Sequence, residues 1–142
     1  MTLTIPFLRD YISRQRYAVV SSNGPHGTPQ SALVGIAVSE SLEIYFDTVD
    51  TTRKIANIRG NPRVSLVIGW ENEQTLQYEG LADLPEGPAL TDLKAIYFRA
   101  WRDGPQRQSW KGITYCRVRP IWLRFSSYVE PQLIEEMRFP VR

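Results

Sequence analysis

The stretch that most constrains the fold is residues 44–68, IYFDTVDTTRKIANIRGNPRVSLVI, where strand, helix and strand patterns follow one another with almost no linker. Leu42, Ile44 and Phe46 alternate with Glu43, Tyr45 and Asp47, the two-residue period of a strand with distinct faces. Cap-type residues Asp50, Thr51 and Thr52 then lead into Ile55 and Ile58, three apart on one helical face. Gly60, Asn61 and Pro62 stop the helix, and RVSLVIGW over 63–70 reads as the next strand. Such a run belongs to a sheet interrupted by a short helix.

The flanking segments are equally short. Residues 5–15 read as a helix with Thr4 as cap, Pro6 in the first turn, and Ile5, Leu8 and Ile12 on one face beside Tyr11. Strands follow at 17–22 and 29–37, separated by the turn residues Asn23, Gly24, Pro25 and Gly27. A fifth strand covers 75–83. Residues 86–101 are helical, with Leu90, Leu93, Ile96 and Tyr97 near one stripe, and 102–112 is a loop. The last strand, 113–125, has a break or edge position at Pro120. Six short strands with flanking helices predict a mainly β fold, a closed or split six-stranded antiparallel barrel, because closure removes exposed edges.

Neither a repeat nor a linker divides the chain, so residues 1–142 are expected to form a single domain. The net charge of +2, spread along the chain, argues against nucleic acid as a partner. The lone Cys116 excludes an intramolecular disulfide and a cysteine-built metal site, and the lone His26 excludes a histidine-rich one. No apolar run approaches the roughly 20 residues of a membrane span, and the N-terminus lacks a signal-peptide pattern. The expected location is the cytoplasm.

Chemistry concentrates at Thr48–Lys54, TVDTTRK, where a strand end enters a helix start. The hydroxyls of Thr48, Thr51 and Thr52, the cations of Arg53 and Lys54, and unpaired helix N–H groups together can hold a phosphate. A solvated, capped helix start accounts for the same residues. Ser31–Val34, SALV, is a strand with small side chains, which lets a flat ring approach the backbone; plain sheet packing also fits. Thr75 and Gln77 share one strand face and offer side-chain hydrogen bonds. Trp101, Trp110 and Trp122 supply ring area for a planar ligand, a core or a subunit interface. His26 reads as an exposed turn residue and Cys116 as a buried apolar one. No nucleophile elbow, Gly-rich phosphate loop or carboxylate pair is present, so no side chain is assigned a catalytic role.

Residues 44–68, with YCRVRPIWLRFSSY at 115–128, resemble the pyridoxamine 5'-phosphate oxidase-like family of flavin-binding split barrels; the resemblance extends over about residues 5–128. It carries the family's strand ending in a polar residue and Thr, its Ser/Thr-Arg-Lys step, its helix, its Asn-Pro turn and its Val-Ser-Leu strand. The resemblance implies a homodimer with FMN at the interface. Ser31, Ala32, Leu33 and Val34 would line the isoalloxazine, Asp47 and Thr48 would lie beside the ribityl–phosphate region, and Arg53 and Lys54 would bind the phosphate. Thr75 stands where the oxidase uses a glutamine near the ring, while Trp122 and Arg124 would approach from the partner subunit. The implied activity is hydride transfer between flavin and a small substrate. A deazaflavin-dependent reductase and a non-enzymatic flavin-binding or sensing protein are the alternatives on the same fold.

Some departures bear on the substrate. Ala32 and Ala37 occupy strand positions where the oxidase has a phosphate-binding arginine and lysine, and the arginine expected within YFRAWRD is shifted to Arg102. The terminal Arg–His substrate segment has no counterpart after Tyr128. These positions imply a relative of the vitamin B6 oxidase and leave its substrate unidentified.

Overall fold

The structure is a computed structural model that describes residues 2–141. Helix α1 (Ile5–Arg14) starts at Thr4, whose hydroxyl accepts the Phe7 N–H at 3.1 Å, and buries Leu8, Tyr11 and Ile12. Strands β1 (Tyr17–Asn23) and β2 (Pro29–Gly35) form a hairpin around a tight turn in which exposed His26 adopts φ 62°. A short β3 (Ala37–Val38) leads through a turn to β4 (Ile44–Val49), then α2 (Arg53–Gly60), β5 (Arg63–Ile68) and β6 (Gln74–Asp83). After α3 (Gly87–Ala100) and the single-turn α4 (Gly104–Arg107) come β7 (Ile113–Ser127) and β8 (Leu133–Arg138).

All strand pairs are antiparallel, in the order β2-β1-β5-β6-β7-β4-β3, with β8 on β7. The sheet curls into a half-barrel with flanking helices, as expected, but among the described residues it has eight strands rather than six. The predicted 29–37 strand breaks at Ile36, whose N–H turns to the Arg16 carbonyl and whose carbonyl accepts the Trp101 indole N–H. The tail adds β8, on which Leu133, Glu135 and Met137 are half-buried while Ile134, Glu136 and Arg138 are exposed. Residues 102–112, expected as a loop, include α4.

The long β7 serves two neighbours on one edge: residues 113–118 pair with β4 and 122–127 with β8. Opposite Glu79 and Gly80, its register shifts and leaves Ile121 without a partner on β6, so Pro120 sits at a bulge rather than ending the strand. A side chain on Gly80 would meet the Arg119 carbonyl at 2.5 Å, so the bulge needs glycine there.

The barrel interior is filled by residues such as Phe46, Leu66, Leu76, Tyr78, Leu123 and Phe125. A second cluster, Ala37, Tyr45, Leu93, Tyr97 and Tyr115, lies under α3. β4 therefore has apolar contacts on both faces, and Tyr45, expected on a polar face, is buried. Tyr78 links sheet and turn. Its buried hydroxyl donates to the Leu42 carbonyl at 2.7 Å and lies 3.1 Å from that of Val118; burial pushes the phenol well above its ordinary pKa. Leu42 has φ 66°, so this bond fixes a turn that an ordinary side chain resists. Tyr78→Phe is expected to lose about 1–2 kcal/mol of stability, read as a lower urea midpoint at unchanged slope.

Candidate functional site

Among the described residues, strand β2 has a partner on one side only. Its backbone bonding can be read from the two ends of the hairpin. Gly24 N–H donates to the Thr28 carbonyl at 2.7 Å, and Ile36 N–H to the Arg16 carbonyl at 3.0 Å. Antiparallel bonding alternates, so Gln30, Ala32 and Val34 exchange hydrogen bonds with β1. The N–H and C=O groups of Ser31 and Leu33 face the open edge.

Two helices flank that edge. At its Gly35 end, the Tyr97 hydroxyl lies 3.4 Å from the Gly35 carbonyl, and the Trp101 ring lies where a Gly35 side chain would otherwise stand. Arg16 stacks on the outer face of the same indole, 4.0 Å from its centroid. At the other end, Gln30, Ser31 and Ala32 line a cavity with Val20, Ser22, Arg53 and Lys54. Buried Asn57 on α2 donates to Gln30 Oε1 at 2.9 Å and Ser22 Oγ at 3.0 Å, fixing the helix start against the hairpin.

The two cations that line the cavity lie apart from the acids. Neither Arg53 nor Lys54 has a carboxylate within 4.0 Å among the described residues. Burial pulls the Lys54 pKa below its ordinary value. The α2 cap residue Thr52 makes no side-chain cap bond, and the first turn contains no acid. The Thr48 hydroxyl instead donates to Thr52 Oγ1 at 3.4 Å. Cations, helix N–H groups and hydroxyls at the β4–α2 junction are donors of the kind that can hold an anion.

The structure separates two residues expected side by side. Thr48 lies toward α2, whereas Asp47, its neighbour on β4, projects to the opposite face beneath α3 and α4. Asp47 Oδ2 accepts from Arg107 Nε at 2.8 Å, and Oδ1 accepts from the Tyr97 hydroxyl at 3.1 Å. Both oxygens are occupied within the protein. Burial, and then the Asp47 charge, push the Tyr97 phenol far up, so it stays a donor. Sequence reasoning missed Arg107 and Tyr97 as partners because they lie 60 and 50 residues from Asp47.

Thr75, Trp122 and Arg124 occupy another region. They lie on the outer face of β6 and β7, three and four strands from β2. One ladder across that face reads Leu33, Val19, Val67, Gln77 and Arg124. Leu33 is 61% and Val67 42% exposed, an apolar strip on an otherwise polar surface. Trp110 is exposed in the α4–β7 connection, His26 lies outside the cavity lining, and Cys116 is buried. Burial raises the Cys116 thiol far above its ordinary value, which leaves it inert. Among the described residues, no group of three His, Cys, Asp or Glu is placed to hold a metal, and no helix is long and apolar enough to cross a membrane.

The family model for pyridoxamine 5'-phosphate oxidase matches residues 5–125. No curated protein matches the chain. The structure is similar to a heme-binding protein from Mycobacterium smegmatis (TM-score 0.81, 15% identity), covering 97% of this chain and 59% of that one. The chain thus spans 59% of that protein's length. It is also similar to the heme storage protein HutZ from Vibrio cholerae (TM-score 0.71, 13% identity), covering 81% of this chain and 88% of that one. A protein related to general stress protein 26, of the pyridoxinephosphate oxidase family, from Clostridium acetobutylicum matches with TM-score 0.72 and 14% identity over 95% of this chain and 94% of that one.

Lys54 without an acidic partner is a burden on the ligand-free fold. Lys54→Met is therefore expected to raise the melting temperature of the ligand-free protein. The native lysine pKa is lowered, so the cost of its charge is full at neutral pH. It disappears as pH rises through that lowered value toward the unfolded value, 10.5. The gap between variant and wild type should narrow over that window, as read by thermal melts at stepped pH.

Proposed function

The chain belongs to the pyridoxamine 5'-phosphate oxidase family, and from that premise we propose that it is an FMN-dependent oxidoreductase acting on a small substrate. The observation that carries this reading is the open edge of β2, bounded at one end by Arg53 and Lys54 and at the other by Tyr97 and Trp101. A flavin matches both chemistries. Its ring has a polar edge that backbone N–H and C=O groups of Ser31 and Leu33 can read, with the small Ala32 and buried Val34 between and beyond them. Its phosphate suits the cations and the α2 N-terminus, with Thr48 beside it. Bound FMN would supply hydride transfer; the protein's part is to hold the phosphate, orient the ring and keep its open face accessible.

Asp47 contributes by holding Tyr97 and Arg107 rather than by touching the flavin. Thr75, Trp122 and Arg124 can reach a flavin at β2 from a second copy, with the strip around Leu33 and Val67 as the buried contact. The site is then completed by a homodimer. Lone His26, exposed in its turn, supplies no reason to prefer haem.

The test is an absorbance spectrum of purified protein followed by FMN titration. Binding on the order of micromolar or tighter is expected. Changing Arg53 and Lys54 together to Ala should weaken it at least tenfold, since each charge-assisted contact contributes about 1.5–3 kcal/mol. Unchanged affinity in that variant, or no flavin binding by the wild type, overturns the reading. A blue-shifted chromophore marks a deazaflavin, and bound FMN that no nicotinamide donor or electron acceptor turns over marks a carrier or sensor. Val67→Glu is expected to yield a folded monomer with weakened FMN binding, checked by light scattering and the same titration.

A further inference from the structure

The Asp47–Arg107 pair is more deeply placed than any surface ion pair needs to be. Its side chains are 12% and 15% exposed, and the bond is 2.8 Å. A second acid, Asp103, meets the other arm of Arg107 at 2.8 Å. The helix that carries Arg107 has four residues, too few to hold itself together. α4 thus keeps its place through its contacts: Arg107 on Asp47, and Gly104 packed so closely on Phe98 that an added side chain would lie 2.6 Å from its ring.

The same segment has a second tie to the same turn. Asp50 N–H donates to the Gly112 carbonyl at 2.8 Å, and Gly112, at φ 78°, lets the Asp50 carboxylate approach where any Cβ would collide. Residues 107–112 are therefore fastened at both ends to residues 47–50, the strand end that feeds α2. Between the fastenings, Gln108, Ser109 and Lys111 are exposed and Trp110 is 54% exposed. Arg107 itself, taken up by two carboxylates, has no charge to spare for a ligand.

We propose that Asp47, Arg107 and Tyr97 form a positioning lock that joins the 104–112 segment to the β4–α2 turn and so sets the geometry in which Arg53 and Lys54 receive an anion. The anion part rests on the FMN reading above; the mechanical coupling does not. Tyr97 extends the lock to β2, because its hydroxyl lies within reach of both Asp47 and the Gly35 carbonyl. One cluster thus spans the two ends of the open edge: the turn that enters α2 and the aromatic side of α3. None of the three residues is a catalytic residue.

Hydrogen exchange of the ligand-free protein, followed by mass spectrometry, tests the coupling. In Asp47→Asn, amides of both 104–113 and 48–54 should exchange on the order of tenfold faster, while those of β5 and β6 keep wild-type rates. Faster exchange confined to 104–113 overturns the lock, since a local brace would move that segment alone. If Asp47→Asn exchanges fast everywhere, Arg107→Lys supplies the same readout with the charge retained and the guanidinium geometry lost. FMN titration of the variant that stays folded then tests the anion part. A rise in Kd of fivefold or more, with Arg53 and Lys54 intact, is expected; unchanged Kd beside coupled exchange overturns it. A wild type that binds no FMN defeats the flavin reading, and the exchange result alone then decides the coupling.

Discussion

Every strand offers hydrogen-bonding groups on both sides, and β2 has a neighbour on one. An unpaired edge is costly if buried and hazardous if bare, so its surroundings have to manage it. Here α3 covers the Gly35 end with a tyrosine hydroxyl and an indole, and α2 closes on the Gln30 end through Asn57. What stays open is a short stretch around Ser31 and Leu33. The placement of both helices, the cavity between β2 and α2, and the break at Ile36 follow from how this edge is finished.

Charge is distributed to the same effect. Asp83 takes Arg117 through two bonds of 2.6 and 2.9 Å and lies 3.5 Å from Arg119, which is 3.9 Å from Glu43. Glu43 also accepts from Tyr45, whose phenol is pushed up to about 12 by burial first and by that carboxylate second. Asp47 takes Arg107. These acids are spent on arginines of β7 and α4. Arg53 and Lys54, which no acid reaches among the described residues, hold the positive potential at the α2 start. The two cations stand without ion-pair partners because of where the acids are, since the net charge of the chain is only +2.

Much of the fold was legible because it depends on local period and turn chemistry. The strand–helix–strand run at 44–68, the hairpin turn and the Thr4 cap all carry their structure in adjacent residues. β3 and β8 were missed for opposite reasons. Ile36 looks like any strand residue, and only long-range bonds to Arg16 and Trp101 divide the segment. The run LIEEMR is charged, and it becomes a strand because β7 extends past β4 and leaves an edge to cover. At the site, Arg53 and Lys54 were legible as a cationic step at a helix start. Asp47 and Thr48 were read as one feature although strand alternation alone sends adjacent side chains to opposite faces. The partners of Asp47 carry no local signal, because a half-buried ion pair between a strand and a one-turn helix exists only after the chain has folded.

On the flavin reading, the β2 edge would meet its ligand through backbone groups, which explains why its side chains say little about that ligand. Ser31 and Leu33 would meet a ring through backbone groups, while their side chains project onto the outer face toward the strip with Val19 and Val67. Backbone recognition tolerates almost any small or apolar residue, so an edge that reads a ring this way can drift in sequence without losing that capacity. Selectivity then falls to the groups that cannot be replaced by backbone. A phosphate needs cations held at the α2 start, and an axial ligand to a metal needs an imidazole, thiolate or phenolate aimed inward. This chain keeps the first and, with His26 exposed in a turn and Cys116 sealed in the core, directs neither its histidine nor its thiol into the cavity. The balance between a cation pair without acids and a buried acid without freedom is what distinguishes this barrel's edge from a sheet edge that is merely covered.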